Sequence, residues 1–235
     1  MILPYVIIIA MKELPLTPEA IEKNIAEYIV TITKEFQDGF NFIKKYPKTV
    51  SVFGSARLTP ASSHYHDARK LAHRIVKELG YSIITGGGPG IMEATNQGAK
   101  EAGGESIGIE INLPHEQHKN PYVMNSAHFN YFFTRKTMLT FAAEAFVFFP
   151  GGFGTLDELF SILTLVQTQK IPPVPIILFG KDFWQPLIDC MEATLLKKHH
   201  AISEEDFNLF TITDSMDVTL NIIKEASVRE WWKGM

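Results

Sequence analysis

A chain of 235 residues, 46% hydrophobic and 20% charged, is long enough to bury one sizeable core and too even in texture to divide into two obvious domains. Twenty-two Lys and Arg against 26 Asp and Glu give a net charge of −4, which leaves no basic stripe for a phosphate backbone and argues against a nucleic-acid partner. A single cysteine, Cys190, excludes an internal disulfide; it shares a helical face with Phe183, Leu187 and Met191, which predicts a core thiol in a reducing cytoplasm.

The first ten residues, MILPYVIIIA, are strongly apolar, but the run stops at Lys12, well short of the ~20 residues a spanning helix needs. No positive charge precedes Ile2 and no small-residue cleavage site follows, so neither a membrane span nor a signal peptide is expected. Two readings stay open: an apolar segment packed on the body, or sequence upstream of a start at Met11. We divide the chain into an N-terminal segment and helix over 1–48, a main domain over 49–226 and a tail over 227–235.

Thr17, Pro18 and Glu19 have helix-start character, and Ile21, Ile25, Tyr28, Ile29 and Ile32 recur at helical spacing, with Phe36, Phe40 and Ile43 able to extend the same face. Thr49 to Phe53 is a short β-branched and aromatic strand running into the small-residue loop Gly54, Ser55, Ala56 and Arg57. A helix from Tyr65 to Leu79 ends at Gly80. Tyr81 to Thr85 is the second strand, followed by Gly86, Gly87, Gly88, Pro89 and Gly90 and a helix through Ile91, Met92, Ala94 and Thr95. That glycine run lacks the dinucleotide fingerprint, because Ile91 stands where the third glycine belongs. Ser106 to Ile111 is a third strand, Asn112 to Asn125 a long loop, and Phe129 to Phe141 a helix that sets Arg135 on an otherwise apolar stripe. Further strands are expected at Val174 to Phe179 and, weakly, at Leu209 to Ile212, with helices at Phe183 to Leu196 and Val218 to Glu225; Trp231 and Trp232 end the chain.

Between these lies the stretch that organises the chain, F-V-F-F-P-G-G-F-G-T-L-D-E from Phe146 to Glu158. Ala145 to Phe149 is an unbroken apolar run, as in a central parallel strand buried on both faces. Pro150, Gly151, Gly152 and Gly154 then allow a tight turn into a helix, whose N-terminal amides and dipole favour an anion, a phosphate above all. Thr155 and Glu158 have the spacing of a capping box, a purely structural arrangement. Strands alternating with helices throughout predict an α/β, Rossmann-like, doubly wound parallel sheet with helices on both faces. The loops at Gly54, Gly86 and Gly151 should then converge at the carboxyl ends of the strands.

Three motifs, G-G-G-P-G-I-M-E-A at Gly86 to Ala94, R-K at Arg135 and Lys136, and P-G-G-F-G-T-L-D-E at Pro150 to Glu158, occur in the order found in one family. From about Val50 to about Phe179 the chain resembles the Lonely Guy (LOG) family of nucleoside 5′-monophosphate phosphoribohydrolases, long mislabelled as lysine decarboxylases, and is similar to its longer bacterial branch. The resemblance implies hydrolysis of the N-glycosidic bond of AMP or a cytokinin riboside 5′-monophosphate to free base and ribose 5-phosphate. It implies Arg135 and Glu158 as the catalytic pair, and no cofactor or metal. Nucleotide contacts are expected from Gly54, Ser55, Gly86, Gly87, Gly88, Met92, Glu93, Lys136, Gly151, Gly152, Gly154 and Thr155, in a homodimer or higher homo-oligomer.

Residue chemistry agrees with that implication. Cleaving a ribosyl bond builds positive charge on the sugar, which a carboxylate stabilises while it activates water. In a first helical turn Glu158 should stay ionised, which suits a base better than a proton donor. Arg135 stays charged and can only orient or grip. Asp157 is expected to be solvated, and the pairs His64 with His66, His115 with His118 and His199 with His200 lack the further ligands of a metal site. Two other functions remain: a non-catalytic nucleotide or molybdenum-cofactor carrier, which would not require the Arg135 with Glu158 pair, and lysine decarboxylation, which would need a Schiff-base lysine in a recognisable site.

Overall fold

The computed structural model describes residues 17–113 and 119–226. The apolar N-terminal segment, His115 and His118 of the long loop, and the tail with Trp231 and Trp232 lie outside the described residues.

Helix α1 (Pro18–Ile43) starts where the sequence places it: the Thr17 hydroxyl accepts a 3.3 Å hydrogen bond from the Ala20 amide, and proline takes the first helical position. It continues through Phe36 and Phe40 to Ile43. Strand β1 (Thr49–Phe53) leads to α2 (Ser63–Arg74), whose last turn widens into a π-helical segment (Ile75–Leu79) closed by Gly80 at φ +68°. Then follow β2 (Ser82–Thr85), α3 (Ile91–Glu101), β3 (Ser106–Ile111), β4 (Asn125–Phe129), α4 (Phe132–Phe141), β5 (Ala145–Phe148) and α5 (Phe153–Gln167). The chain closes with β6 (Ile176–Phe179), α6 (Lys181–Met191), β7 (Thr211–Thr213) and α7 (Met216–Glu225).

The seven strands among the described residues form one parallel sheet in the order β4-β3-β2-β1-β5-β6-β7. This is the doubly wound α/β architecture expected from the alternating elements. The period of two along each strand sends successive side chains to opposite layers. Phe53, Ile84, Ile107, Phe146, Phe148 and Leu178 pack with α1, α4, α5 and α6, whereas Val50, Val52, Ile83, Val147 and Ile177 pack with α2, α3 and α7. Burial of β5 and β6 on both faces accounts for their unbroken apolar runs, whereas β1, equally buried, carries Thr49 and Ser51, whose hydroxyls donate to the Ala142 and Leu139 carbonyls. The chain moves outward from β1 to β4 and then returns to the other side of β1 at β5, so the switch in strand order lies between β1 and β5. There the Ser55 amide donates to the Pro150 carbonyl at 3.0 Å, tying together the two turns that leave these strands.

Four expectations need correction. Asn125 to Phe129, expected to be loop and helix start, forms the edge strand β4, and α4 begins only at Phe132. N-S-A-H-F carries no β-branched signal, and pairing to β3 on one side alone decides its conformation. The weak strand expected at Leu209 to Ile212 is shifted to Thr211–Thr213, because Leu209 closes a 3₁₀ turn over Glu204–Leu209. Cys190 is exposed, not a core thiol: α6 buries Trp184 and Ile188, one turn apart, and Cys190 falls beyond that face. Finally, Thr155 and Glu158 form no capping box. Helix α5 starts at Phe153 with Gly152 as its N-cap and no side-chain cap, so both residues lie inside the helix, with Glu158 in its second turn. Among the described residues no helix is long and apolar enough to cross a membrane.

Candidate active site

At the switch point the turns after β1, β2 and β5 open on one cavity of about 680 Å³, where ligands bind in open parallel sheets. Gly54, Ser55, Arg57, Gly86, Arg135, Gly152, Gly154, Thr155 and Glu158 supply its polar and glycine surfaces, and Met92, Ile111, Leu113, Phe132, Leu139 and Phe153 its apolar ones. A second hollow, about 850 Å³, lies between α1 and β4, but no glycine turn faces it.

The glycines of the cavity are there for different reasons. A Cβ at Gly54 would stand 2.6 Å from Ile91 Cγ2, so this residue lets α3 pack under β1. Gly87 has φ +76° and would put a Cβ 2.7 Å from Glu110 Cγ, so both conformation and space demand glycine. A Cβ at Gly86 would collide with the Arg135 guanidinium, and one at Gly151 with the Thr155 hydroxyl. Gly152 and Gly154 differ: a Cβ there meets no protein atom within 4 Å, and neither has positive φ. Packing and backbone conformation leave these two positions free to take a side chain. Their bareness is explained by a ligand that approaches the chain closely.

The two glycine-rich turns also differ in their amides. In the turn after β2 the Gly87 amide donates to the Thr85 hydroxyl at 3.0 Å, and the Ile91 amide at the start of α3 donates to the Ser55 carbonyl at 3.0 Å. The Gly87 and Gly88 carbonyls accept from Asn120 Nδ2 at 3.1 and 2.9 Å, and Asn120 also bonds Asn96 within a buried polar cluster that includes Thr85 and Ser106. This turn is bound up with the protein. Helices α3 and α5 both start at a glycine N-cap without a side-chain cap, but it is the whole N-terminal stretch of α5, Gly152 to Glu158, that lines the cavity, where the helix dipole adds positive potential.

Glu158 is 7% exposed, and its Oε2 is buried with no hydrogen-bond partner. Burial pushes its carboxyl from 4.5 up to about 7, against the pull of the Lys136 and Arg135 charges, while Asp157 adds a smaller push upward. Desolvation thus outweighs the helix-terminal field expected to keep this group fully ionised. Arg135 is partly buried; its Nε donates to the Ile109 carbonyl at 2.8 Å. Burial lowers the guanidinium's pKa, with Glu158 and Glu110 opposing, but the group stays charged at any ordinary pH. Arg135 and Glu158 therefore act on each other electrostatically, without a direct hydrogen bond.

Several expected contacts lie off the cavity. Gly87, Gly88, Glu93, Lys136 and Gly151 do not line it. Lys136 pairs with Asp157 at 2.6 Å and with Ser161 at 2.9 Å, which also gives exposed Asp157 a partner instead of plain solvent. The Ser55 hydroxyl accepts from the Arg57 amide at 3.0 Å, leaving the exposed Arg57 guanidinium at the rim. Among the described residues no group of three or more His, Cys, Asp or Glu could hold a metal ion. Asn120 and Glu110 escaped the sequence reading: Asn120 shows only as part of an Asn-Pro turn signal, and Glu110, whose buried Oε1 lacks a hydrogen bond, reads as one polar residue in a strand.

Comparison with known proteins gives a consistent result. A cytokinin riboside 5′-monophosphate phosphoribohydrolase from Rhodococcoides fascians is 23% identical over 150 residues, 62% of this chain and 75% of that protein. The enzyme of the same name, LOG, from Oryza sativa subsp. japonica is 30% identical over 147 residues, 59% of this chain and 57% of that protein, so the chain spans little more than half the rice protein's length. Among solved structures, that titled TM1055 superposes with a TM-score of 0.56 at 25% identity, covering 76% of this chain and 99% of its own. The molybdenum cofactor carrier protein of Chlamydomonas reinhardtii reaches a TM-score of 0.53 at 20% identity, covering 76% and 97%, which is a likeness of fold alone. The family model described as "Possible lysine decarboxylase" matches residues 92–223; with more than half of its length matched, including the segment from Met92 through Arg135 to Glu158, the chain belongs to that family.

Proposed function

We propose that the protein hydrolyses the N-glycosidic bond of a nucleoside 5′-monophosphate, AMP or a cytokinin riboside 5′-monophosphate, to free base and ribose 5-phosphate. The observation that carries this reading is the buried, unpartnered Oε2 of Glu158 in a cavity floored by the bare glycines 152 and 154. A desolvated carboxylate with no structural partner costs stability, and such groups cluster where chemistry needs them.

The 5′-phosphate sits at the uncapped amides of α5, with the Arg57 guanidinium at the rim adding charge. The apolar wall of Ile111, Leu113, Phe132 and Leu139 takes the base. This leaves the ribose between them, beside Glu158. As the bond from C1′ to the base nitrogen breaks, its electron pair leaves with the base, which takes up a proton from solvent. The positive charge that develops on the sugar is stabilised by the ionised Glu158, which takes a proton from the attacking water as its oxygen bonds C1′. Glu158 afterwards returns that proton to solvent. Arg135, anchored on Ile109, holds the carboxylate's field in place and favours its ionised form.

The relatives named as phosphoribohydrolases support this reading. A molybdenum-cofactor carrier would share the fold but would gain nothing from a desolvated carboxylate. Lysine decarboxylation would need a Schiff-base lysine, and among the described residues no lysine lines the cavity. We assign a homo-oligomer as the working state: Phe153 at 92% exposure and Phe132 at 60%, both lining the cavity, form an apolar rim of the kind that a second subunit covers.

Incubation with a panel of nucleoside monophosphates, nucleosides and triphosphates, followed by chromatography, tests the reaction. Free base and ribose 5-phosphate are expected from a monophosphate only. No release from any monophosphate would overturn the proposal.

A further inference from the structure

The helix that carries Arg135 is held at its first turn by a carboxylate from α1. Glu35 is 8% exposed, yet it is fully engaged. One of its oxygens accepts from the Asn130 amide at 2.7 Å and from the Asn130 side chain at 2.8 Å; the other accepts from the Thr134 hydroxyl at 2.5 Å. Charge-assisted bonds of this kind are the strong ones. The N-cap residue of α4, Tyr131, supplies no side-chain cap; Glu35 leaves the helix amides uncapped but holds the residue before the cap and the side chain of the third helical residue, which fixes the start of α4 from another helix. Residue contacts keep the two helices in register. Gly39 lies so close to Met138 that a Cβ would stand 2.6 Å from its sulfur, and the rings of Tyr28 and Tyr131 meet edge-on at 4.8 Å, as do those of Phe40 and Phe141 at 5.7 Å.

The chain of bonds continues into the cavity wall on two sides. Thr134 is followed by Arg135, whose Nε reaches the Ile109 carbonyl of β3. The Asn130 side-chain oxygen accepts from Asn112 Nδ2 at 2.8 Å, and the Asn112 amide donates to the Phe129 carbonyl at 2.8 Å. Asn112 stands between Ile111 and Leu113, both in the cavity wall.

From this juxtaposition we infer that Glu35 is a positioning residue for the candidate active site. It fixes the start of α4, which carries Arg135, against the end of β3 at Ile111 and the residues that follow it, including Leu113. The N-terminal helix, which lies outside the family match, is then a working part of the cavity. The activity readout rests on the proposed function; the positioning itself does not.

A mutant cycle separates positioning from a purely structural role. Glu35→Ala is expected to lower kcat/KM for the monophosphate by about 10- to 100-fold, the scale of a misplaced catalytic group. Glu35→Gln, whose carbonyl can accept from Asn130 while its amide donates to the Thr134 hydroxyl, should stay within about threefold of wild type, since every hydrogen bond can be remade. Added to Arg135→Ala, Glu35→Ala should cost less than about a further twofold, because two residues acting through one group are not additive. If Glu35→Ala does not fold, Thr134→Val, which removes one of the three bonds, takes its place in the same cycle. A kcat/KM within twofold of wild type, or a full multiplicative loss on top of Arg135→Ala, would overturn the inference. Should the wild type release no base at all, the functional reading fails by itself. Crystal structures of wild type and of Glu35→Ala or Thr134→Val then judge Glu35: loss of the bond from Arg135 to Ile109 is expected, and an unchanged bond would overturn it.

Discussion

Replacing Glu158 by Gln should stabilise the protein selectively at alkaline pH. Burial raises the Glu158 carboxyl from 4.5 to about 7, a shift of roughly 2.5 units or about 3 kcal/mol. The folded state holds this proton more tightly than the unfolded chain, so the contribution of Glu158 to stability is fully present below pH 4.5 and is lost as pH rises from 4.5 through about 7, where the buried group ionises. Gln carries no such proton. Any packing or hydrogen-bonding change from the amide acts equally at every pH, so the readout is the change in the difference between the two proteins. By differential scanning calorimetry, the melting temperature of Glu158→Gln relative to wild type should rise by about 5–10 °C between pH 5 and pH 8, at ~2–4 °C per kcal/mol for a chain of this size. A difference constant to within about 2 °C would refute the claim that desolvation raises this carboxyl, since a ~3 kcal/mol linkage must appear somewhere in that interval.

The same titration should shape the reaction. Because Lys136 is the larger of the charges holding the Glu158 pKa down, Lys136→Met should move the ascending limb of the kcat/KM profile from near pH 7 to higher pH; a shift toward acid would contradict the electrostatics. Asn120→Ala strips the Gly87 and Gly88 carbonyls and the Asn96 oxygen of a buried donor, so urea unfolding should show a loss of about 2–3 kcal/mol, and a loss below about 0.5 kcal/mol would mean that water replaces the amide.

What the sequence revealed and what it hid divide along physical lines. Glycine clusters after apolar runs announced the turns of Gly54, Gly86 and Gly151, because few other conformations use so many residues without a Cβ. The parallel sheet followed from β-strands buried on both faces alternating with helical periodicity. The edge strand β4 stayed hidden because N-S-A-H-F has no intrinsic preference for the conformation that β3 imposes on it. Thr155 and Glu158 have capping-box spacing, but Gly152 sets the helix start three residues before Thr155, and spacing alone carries no information about phase. The raised pKa of Glu158 could not be read either, since a first-turn carboxylate and a buried one look identical in a string of letters. Glu35 and Asn120 act across 95 and 33 residues of chain, and nothing local marks them.

The most direct test of the role assigned to Glu158 is to compare wild type and Glu158→Gln for AMP binding by calorimetry and for base release under saturating AMP. Binding should stay within a few-fold while release falls by about 100-fold or more, the scale of a lost general base. Turnover close to wild type with Gln at this position would contradict the assignment.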